Sequence, residues 1–153
     1  MHADLQPAHA IHADDGSVQL IDYAWAQGHP VPIAIPFKGT LVHSTAPELA
    51  AQIGRGEVAA MTPAAEVYTL AATLWTCATG AWPWDYTAAG IDAKIADIRE
   101  LWEAIGRHAL TRLPGPAWPQ LRTVLAHGLA TEPADRPTMA DLIDELSHLV
   151  HRS

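Results

Sequence analysis

The chain has 153 residues, 49% of them hydrophobic, and a formal net charge of −8 at pH 7. This length suits a single domain with a buried core, or one lobe of a larger protein. The acidic balance, with Lys38 and Lys94 as the only lysines, argues against nucleic acid and anionic membrane surfaces, because both select clustered Lys and Arg. We therefore expect a protein or a small molecule as partner. The N-terminus has neither the basic start nor the long apolar run of a signal peptide, which predicts a cytoplasmic protein.

The first part of the chain is predicted to contain one small β-hairpin. The dipeptide Asp-Gly at 15–16 is a strong tight-turn signal, and it stands between Ile11 and a strand over residues 18–21. The second arm of this hairpin therefore ends at Asp22. Residues 28–38 contain three prolines, which predict an extended loop without regular structure.

A buried helix over about residues 62–80 is predicted to be the centre of the domain. Thr62 is a good N-cap, Pro63 suits the first helical position and Gly80 suits a C-terminal stop. The interior of this segment is apolar nearly all round, which is typical of a helix with other elements packed on every side. The single cysteine, Cys77, lies inside it and is expected to be a buried, unreactive thiol.

Four further helices complete a mainly α domain of about five helices arranged around the buried central one, with a single small hairpin. A short helix over 49–53 ends at Gly54 and Gly56, and a helix over about 121–129 follows a proline-rich linker. Apolar residues at helical spacing predict an amphipathic helix from Ile91 to about Arg112: Ile91, Ile95, Ile98, Trp102 and Ile105. Thr138, with Asp141 three residues on, caps a last helix. Its predicted apolar face is Leu142, Ile143, Leu146, Leu149 and Val150. We expect Trp75, Trp82 and Trp84 to be core side chains and not a ligand-binding box.

Six short motifs follow one another along the chain. They are HADLQPAH at 2–9, DYA at 22–24, APE at 46–48 with Gly39-Thr40 ahead of it, EVYTLA at 66–71, GAWPW at 80–84 and RPT at 136–138. In order and spacing they resemble the C-terminal lobe of a bacterial, eukaryotic-like (Hanks-type) Ser/Thr protein kinase, over residues 2 to about 150. The resemblance divides the single domain 1–153 into a catalytic-loop-like part (2–11), a hairpin with a D-F-G-like motif (12–24), an activation-segment-like part (25–48) and a helical remainder (49–150).

The resemblance implies a role for four residues near the N-terminus. Asp4 takes the place of the base that accepts the proton of the substrate hydroxyl, and Asp22 the place of a magnesium ligand. Gln6 replaces the loop lysine and carries no charge. His9 replaces the asparagine that is the second magnesium ligand, and neutral imidazole is a poor ligand for this hard cation. The arginine of H-R-D is Ala3 here.

The resemblance also implies structural roles for three charged residues. Glu66 stands where an aspartate of the central helix holds the catalytic loop, with an extra methylene that backbone shifts must absorb. Glu48 and Arg136 are expected to form a buried ion pair and not to be two separate solvated charges. His2, His9 and His12 would be candidates for a metal cluster, but we expect them to face solvent or to make hydrogen bonds, because no cysteine accompanies them.

Parts of a complete kinase are missing from the sequence. It contains no Gly-rich phosphate loop, no V-A-I-K-like strand lysine and no helix with the glutamate partner of that lysine. These parts form the N-terminal lobe in the family, where the nucleotide lies between two lobes. The face that this lobe and the preceding helix normally cover is expected to be an interface.

Three functions fit this pattern. The leading one is a degenerate lobe that works as a protein-binding or regulatory module through a partner protein or self-association, without transferring phosphate on its own. The second is the C-lobe subunit of a split phosphotransferase, completed by a separate N-lobe chain and then using Mg-ATP; the retention of both Asp4 and Asp22 favours it. The third is an accessory protein of a peptide or small-molecule biosynthetic cluster. We expect the isolated chain to need no cofactor and to bind Mg-ATP weakly or not at all.

Overall fold

The computed structural model describes residues 1–27, 37 and 41–150, and within them the fold is mainly helical, as predicted. The α-helices of this part of the chain are α1 (Pro47–Gly54), α2 (Pro63–Thr79), α3 (Ile98–Gly106), α4 (Pro119–Gly128) and α5 (Met139–Val150). The strands are β1 (Ala10–His12), β2 (Val18–Leu20), β3 (Trp84–Asp85) and β4 (Thr111–Arg112), which form two antiparallel pairs, β1 with β2 and β3 with β4. No helix in the described ranges is both long and apolar enough to cross a membrane.

Two predicted stretches fall partly or wholly outside the described residues. The extended loop over 28–38 lies outside them except for Phe37, whose N–H donates a hydrogen bond of 2.7 Å to the carbonyl of Ala59. The activation-segment-like part is described at 25–27, 37 and 41–48, and Gly39-Thr40 lies outside.

Helix α2 has the bounds and the central position that its sequence predicts. The Thr62 hydroxyl accepts the N–H of Ala65 at 3.1 Å, and Gly80 ends the helix in the left-handed conformation at a φ of 71°. Helices α4 and α5 both pack against α2, while α1 packs against α3. The largest buried side chains of α2 are Tyr68 and Trp75, so the helix is the centre of the core.

The prediction of a buried thiol was wrong, because Cys77 is exposed. Ala78 is exposed beside Cys77 in the last turn of α2. The two residues line an open apolar groove together with Leu74, Trp118 and Leu149. An apolar sequence therefore located the helix but not which of its side chains the neighbouring helices leave exposed.

The amphipathic helix predicted from Ile91 to about Arg112 is much shorter, since α3 covers only Ile98–Gly106. The segment before it is broken by aspartate side chains that accept nearby backbone N–H groups: Asp92 from Lys94 at 3.0 Å and Asp97 from Arg99 at 2.8 Å. Such local bonds compete with the helical pattern. Ile95, one of the apolar residues on which the longer helix was predicted, is 83% exposed.

The end of α3 is set by two backbone hydrogen bonds around a left-handed residue. His108 has a φ of 54°, its N–H donates to Ile105 at 3.1 Å, and the N–H of Ala109 donates to Ala104 at 3.1 Å. This is the Schellman pattern of a helix C-terminus. The chain then enters β4, so Arg112 lies in a strand and not in the predicted helix.

Helices α4 and α5 lie where they were predicted, but two residues of the predicted apolar face of α5 are exposed. The hydroxyl of Thr138 donates to Asp141 at 2.6 Å and accepts the Asp141 N–H at 3.2 Å, which is the predicted cap. Leu142 is fully buried, but Ile143 and Val150 are exposed. Leu142, Leu146 and Leu149 follow the i, i+4, i+7 spacing of one stripe, whereas Ile143 lies about 100° away around the helix.

Candidate functional site

The hairpin β1–β2 brings two distant carboxylates together. Ala10 pairs with Leu20 and His12 pairs with Val18, around the turn in which Gly16 has a φ of 82°. The ladder is extended by the N–H of Ile21, which donates to the carbonyl of His9 at 3.0 Å. The residue after Ile21 is Asp22, so the returning arm places this carboxylate beside the loop that carries Asp4.

The side chain of His9 lies between Asp4 and Asp22. Its Nδ1 is 3.5 Å from Oδ2 of Asp4, and its Nε2 is 3.7 Å from Oδ2 of Asp22. One potential ligand atom from each of the three residues lies within 4.8 Å of the others. Gln6 donates from its amide nitrogen to Oδ1 of Asp4 at 3.2 Å. The four residues that the resemblance singled out near the N-terminus therefore form one cluster.

Burial differs within this cluster. The side chains of Asp4 and His9 are largely buried, whereas that of Asp22 is 49% exposed. Asp22 also has a left-handed backbone, at a φ of 61°. Left-handed non-glycine residues are uncommon and concentrate at functional sites, with aspartate among the residues that tolerate this conformation best. The cluster thus has a fixed side, at Asp4 and His9, and a side open to solvent at Asp22.

The buried carboxylate of Glu66 holds the loop that carries Asp4. It accepts the N–H of His2 at 2.6 Å and that of Ala3 at 3.1 Å. Ala3 has a left-handed φ of 64°, which is costly for a residue with a Cβ. A second attachment comes from Thr73, whose hydroxyl donates to the carbonyl of Leu5 at 3.1 Å. Helix α2 therefore fixes the backbone on both sides of Asp4, and the longer glutamate side chain fits this position.

Glu48 and Arg136 form the ion pair that the sequence analysis assigned to them. The guanidinium donates two parallel hydrogen bonds to the carboxylate, at 2.7 and 2.8 Å, and the Arg136 side chain is fully buried. It also donates to the carbonyls of Ala64, Ala130 and Thr131. The start of α1, the start of α2 and the turn before α5 are thereby joined at one cation.

The remaining histidines of the N-terminal part have separate surroundings. A ring nitrogen of His2 lies 3.0 Å from the carbonyl of Ile21, and its ring contacts that of Tyr23 at 4.8 Å between centroids. His12 is exposed on β1. Neither belongs to the group formed by Asp4, His9 and Asp22. A metal cluster of the three histidines is therefore not what this part of the fold assembles.

Apolar side chains around the hairpin are left exposed to solvent. We call one side of the hairpin the hairpin face: Val18, Leu20 and Tyr23, each more than 40% exposed. Ile11 and Ile21 are also exposed but lie on the opposite side, because Ile11 pairs with Gln19. Acidic residues lie at its edge, with Asp14 and Asp15 in the turn and Asp22 after β2. An exposed apolar surface with a charged edge is typical of a protein interaction site.

A buried aromatic group around His43 was not predicted. The His43 ring stacks on Trp82 at 3.5 Å between centroids, and its Nδ1 is 2.9 Å from the hydroxyl of Tyr86. Burial lowers the pKa of His43 to about 4 and raises the pKa of the Tyr86 hydroxyl. Trp82 and Tyr86 also line an open cavity of about 660 Å³. The motif GAWPW indicated an aromatic cluster, but nothing in the sequence pointed to a histidine 39 residues earlier.

The residues at the cluster do not fit the Mg-ATP site that the resemblance implies. Asp22 offers a carboxylate oxygen of the kind that Mg²⁺ prefers, but His9 offers a ring nitrogen, which this ion binds poorly. Gln6 has no charge for a phosphate, and its amide donates to Asp4. Magnesium chemistry of the kinase type is therefore not supported by this donor set.

Comparison with known protein families gives no assignment, because no family model matches the chain. The relation to protein kinases therefore stays a hypothesis. It rests on the order of the six motifs and on the side chains that the fold brings together at Asp4, Glu48 and Glu66.

Proposed function

We propose that this chain is a degenerate, protein-kinase-like C-lobe that binds a partner protein and does not transfer phosphate on its own. Two features support the kinase-like part. Glu66 of α2 holds the loop before Asp4, and Arg136 pairs with Glu48, each at the position that the motif order assigns. Both contacts join residues more than 60 positions apart, so chance local structure does not account for them.

The surroundings of Asp4 support the loss of phosphate transfer. A general base needs a free carboxylate oxygen within hydrogen-bond reach of the proton that it accepts. Here Oδ1 of Asp4 accepts from Gln6, and Oδ2 faces the ring of His9. A lysine and an asparagine would stand at these two positions in the family pattern. Both replacements remove a group that stabilises phosphate charge or holds magnesium.

The exposed hairpin face is the main support for the proposed binding of a partner protein. Val18 and Leu20 point to the same side of β2, because alternate residues of a strand share one face, and both are more than 40% exposed. A two-stranded hairpin is marginally stable alone and gains from packing against another surface. The acidic edge at Asp14 and Asp15 complements a partner whose apolar patch has a basic border.

Matched surface variants test this role. Leu20→Asp places a charge within the hairpin face, and Val58→Asp places one at a residue that is 78% exposed elsewhere. Proteins from the native host that bind the tagged chain are identified by mass spectrometry, and the best candidate is purified for direct titration. We expect Leu20→Asp to weaken its binding at least tenfold, about 1.4 kcal/mol, while Val58→Asp leaves it unchanged. Equal effects of the two variants would exclude the hairpin face as the binding site.

A phosphotransfer assay tests the other half of the proposal. The purified chain is incubated with Mg-ATP and a generic protein substrate, and incorporated phosphate is measured. We expect none above the background of Asp4→Ala. Activity that this substitution abolishes would show that the chain is an enzyme in its own right.

One observation favours the split phosphotransferase as a second candidate. Asp4 and Asp22 approach the same ring of His9 although 17 residues separate them along the chain. A scaffold has no need to bring two carboxylates together. The test adds a separate chain with a Gly-rich loop and a strand lysine and measures phosphotransfer. Asp22→Asn should abolish the activity, whereas Asp14→Asn, at an exposed turn residue, should retain it.

A further inference from the structure

We propose that the cavity beside His2 binds the indole ring of a tryptophan on the partner protein, with the indole N–H donating to Nδ1 of His2. The cavity has a volume of about 560 Å³, which is within the usual range of ligand pockets. Leu20 and Tyr23 belong both to its wall and to the hairpin face. The inference therefore rests on the proposed partner binding and names the group that anchors it.

The wall of this cavity is mostly apolar. Its aliphatic side chains come from the N-terminal loop, the hairpin and two helices: Leu5, Leu20, Leu70 of α2 and Met139 of α5. A large apolar group gains most from such a surface, because the gain grows with the apolar area that is removed from water. Tryptophan has the largest ring of the natural side chains and is enriched among the residues that dominate protein interfaces.

His2 presents a buried acceptor to an entering ligand. The residue is 7% exposed, and its Nε2 lies 3.0 Å from the carbonyl of Ile21. A carbonyl oxygen only accepts, so Nε2 carries the proton and Nδ1 of the neutral ring carries the lone pair. Nδ1 is buried and accepts no hydrogen bond from any group within residues 1–27, 37 and 41–150. A buried polar atom without a partner is costly, and a ligand that supplies one donor removes this cost.

The carboxylate of Glu66, which also lines the cavity, is already engaged. Its two oxygens accept the N–H of His2 at 2.6 Å and that of Ala3 at 3.1 Å. A lysine or arginine of the partner would bring a charge into an apolar cavity beside a carboxylate that holds the backbone. A tyrosine hydroxyl would bring lone pairs that need donors of their own. Indole has one donor and no acceptor, so the single lone pair at His2 satisfies it.

Tyr23 controls access to the ring of His2. The two ring centroids are 4.8 Å apart, with 48° between the ring planes. Tyr23 is 59% exposed, so its side chain can turn toward solvent without leaving a core position. The entering indole then takes over the ring contact with His2 and reaches Nδ1.

A matched pair of probes tests the hydrogen bond. The full chain is titrated by calorimetry with N-acetyl-tryptophanamide and with its 1-methyl derivative, which has the same ring without the N–H. We expect one N-acetyl-tryptophanamide per chain at saturation, and binding of the methyl derivative that is weaker by about fivefold or more. His2→Phe keeps a ring and removes the acceptor, so both probes should then bind equally. The control His148→Phe, at an exposed histidine of α5 outside the cavity wall, should retain the difference.

A second variant tests the apolar wall. Leu70 is partly exposed on α2, and Leu70→Gln places an amide in the wall, which should weaken both probes by about fivefold or more. It decides the test if circular dichroism shows that His2→Phe fails to fold. Three results would overturn the inference: no binding of N-acetyl-tryptophanamide at millimolar concentration, equal binding of the two probes to the unmodified chain, or unchanged binding to Leu70→Gln.

Competition separates this inference from the proposed function. N-acetyl-tryptophanamide at saturating concentration should displace the purified partner. If it binds without displacing a partner that Leu20→Asp weakens, the tryptophan anchor is wrong and the hairpin face stands. If Leu20→Asp leaves partner binding unchanged while the probe binds, the hairpin face and the anchor are both rejected, and the cavity is a pocket for free indole compounds.

Discussion

The carboxylate of Glu66 accepts the backbone N–H of Ala3 at 3.1 Å, from a position 63 residues further along the chain. Ala3 has a left-handed φ of 64°, a conformation that costs about 1–2 kcal/mol for a residue with a Cβ. A buried acceptor opposite the strained residue offsets this cost. The same carboxylate accepts the N–H of His2 at 2.6 Å, so one side chain of α2 determines the path of the chain into Asp4.

We expect Glu66→Ala to lower the free energy of unfolding by about 3 kcal/mol, because it leaves two backbone N–H groups without their acceptor. Glu66→Gln should cost about half of that, since its oxygen still accepts while its amide group opposes the second N–H. Urea denaturation measures both changes. The control is Glu57→Ala, which removes an exposed ion pair with Arg55 and should change stability by less than about 1 kcal/mol. A similar loss for Glu66→Ala and Glu57→Ala would contradict the proposed role.

The pair of Glu48 and Arg136 predicts strong coupling between two substitutions. Glu48→Gln leaves the buried guanidinium without its counter-charge, and we expect a loss of about 3–5 kcal/mol. Arg136→Met removes the cation and its bonds to three carbonyls. When both substitutions are combined, the new amide side chain at position 48 no longer faces a buried charge. The double variant should therefore lose less free energy of unfolding than the two single variants lose together. Additive losses in urea denaturation would argue against a direct interaction.

Features that depend on short stretches of sequence were predicted well. Thr62, Gly80 and the pair Thr138–Asp141 act within one helical turn of their own position. As expected, Thr62 and the pair Thr138–Asp141 begin a helix and Gly80 ends one. The hairpin followed from a two-residue turn signal. The overlong helix predicted over 91–112 also has a local cause. Asp92 and Asp97 accept hydrogen bonds from backbone N–H groups two residues on, and these bonds outweighed the regular apolar spacing.

Features that depend on neighbours distant in the chain were predicted only through the family resemblance, or not at all. Motif order linked Glu48 to Arg136 and Glu66 to the catalytic-loop-like segment, which apolar periodicity alone does not do. The exposure of Cys77 depends on how α4 and α5 pack against α2, and the stacking of His43 on Trp82 joins residues that are 39 positions apart in the chain. Single-sequence patterns contain neither piece of information.

Two helix ends provide a matched test of backbone strain. His108 ends α3 and Gly80 ends α2, both left-handed, with φ values of 54° and 71°. His108→Gly removes the strain of a Cβ in this conformation and should stabilise the protein by about 0.5–1 kcal/mol. Gly80→Ala introduces that strain and should cost about 1 kcal/mol. The cost is limited to the backbone strain, because an added Cβ would meet no atom within 4 Å there. Thermal unfolding compares the two; a lower melting temperature for His108→Gly would contradict the assignment.

The burial of His43 makes stability depend on pH. Its pKa in the folded protein falls to about 4 from an ordinary value of 6.5, because the charged ring would lose its hydration beside Trp82. Below pH 6.5 the unfolded chain takes up a proton that the folded chain does not, so folding is weakened as pH falls toward 4. Above pH 6.5 both states carry the neutral ring, and the full stability is present.

We expect the unmodified protein to lose about 2 kcal/mol more than His43→Gln when the pH is lowered from about 7 to about 5. Glutamine is neutral throughout and can still bond to the Tyr86 hydroxyl, so the variant removes the titration and keeps a polar partner there. Urea denaturation at both pH values measures the difference, and effects of the other ionisable groups cancel between the two proteins. His12→Gln, at an exposed histidine, should follow the unmodified protein. Parallel pH profiles for the unmodified protein and His43→Gln would show that His43 is not the group responsible.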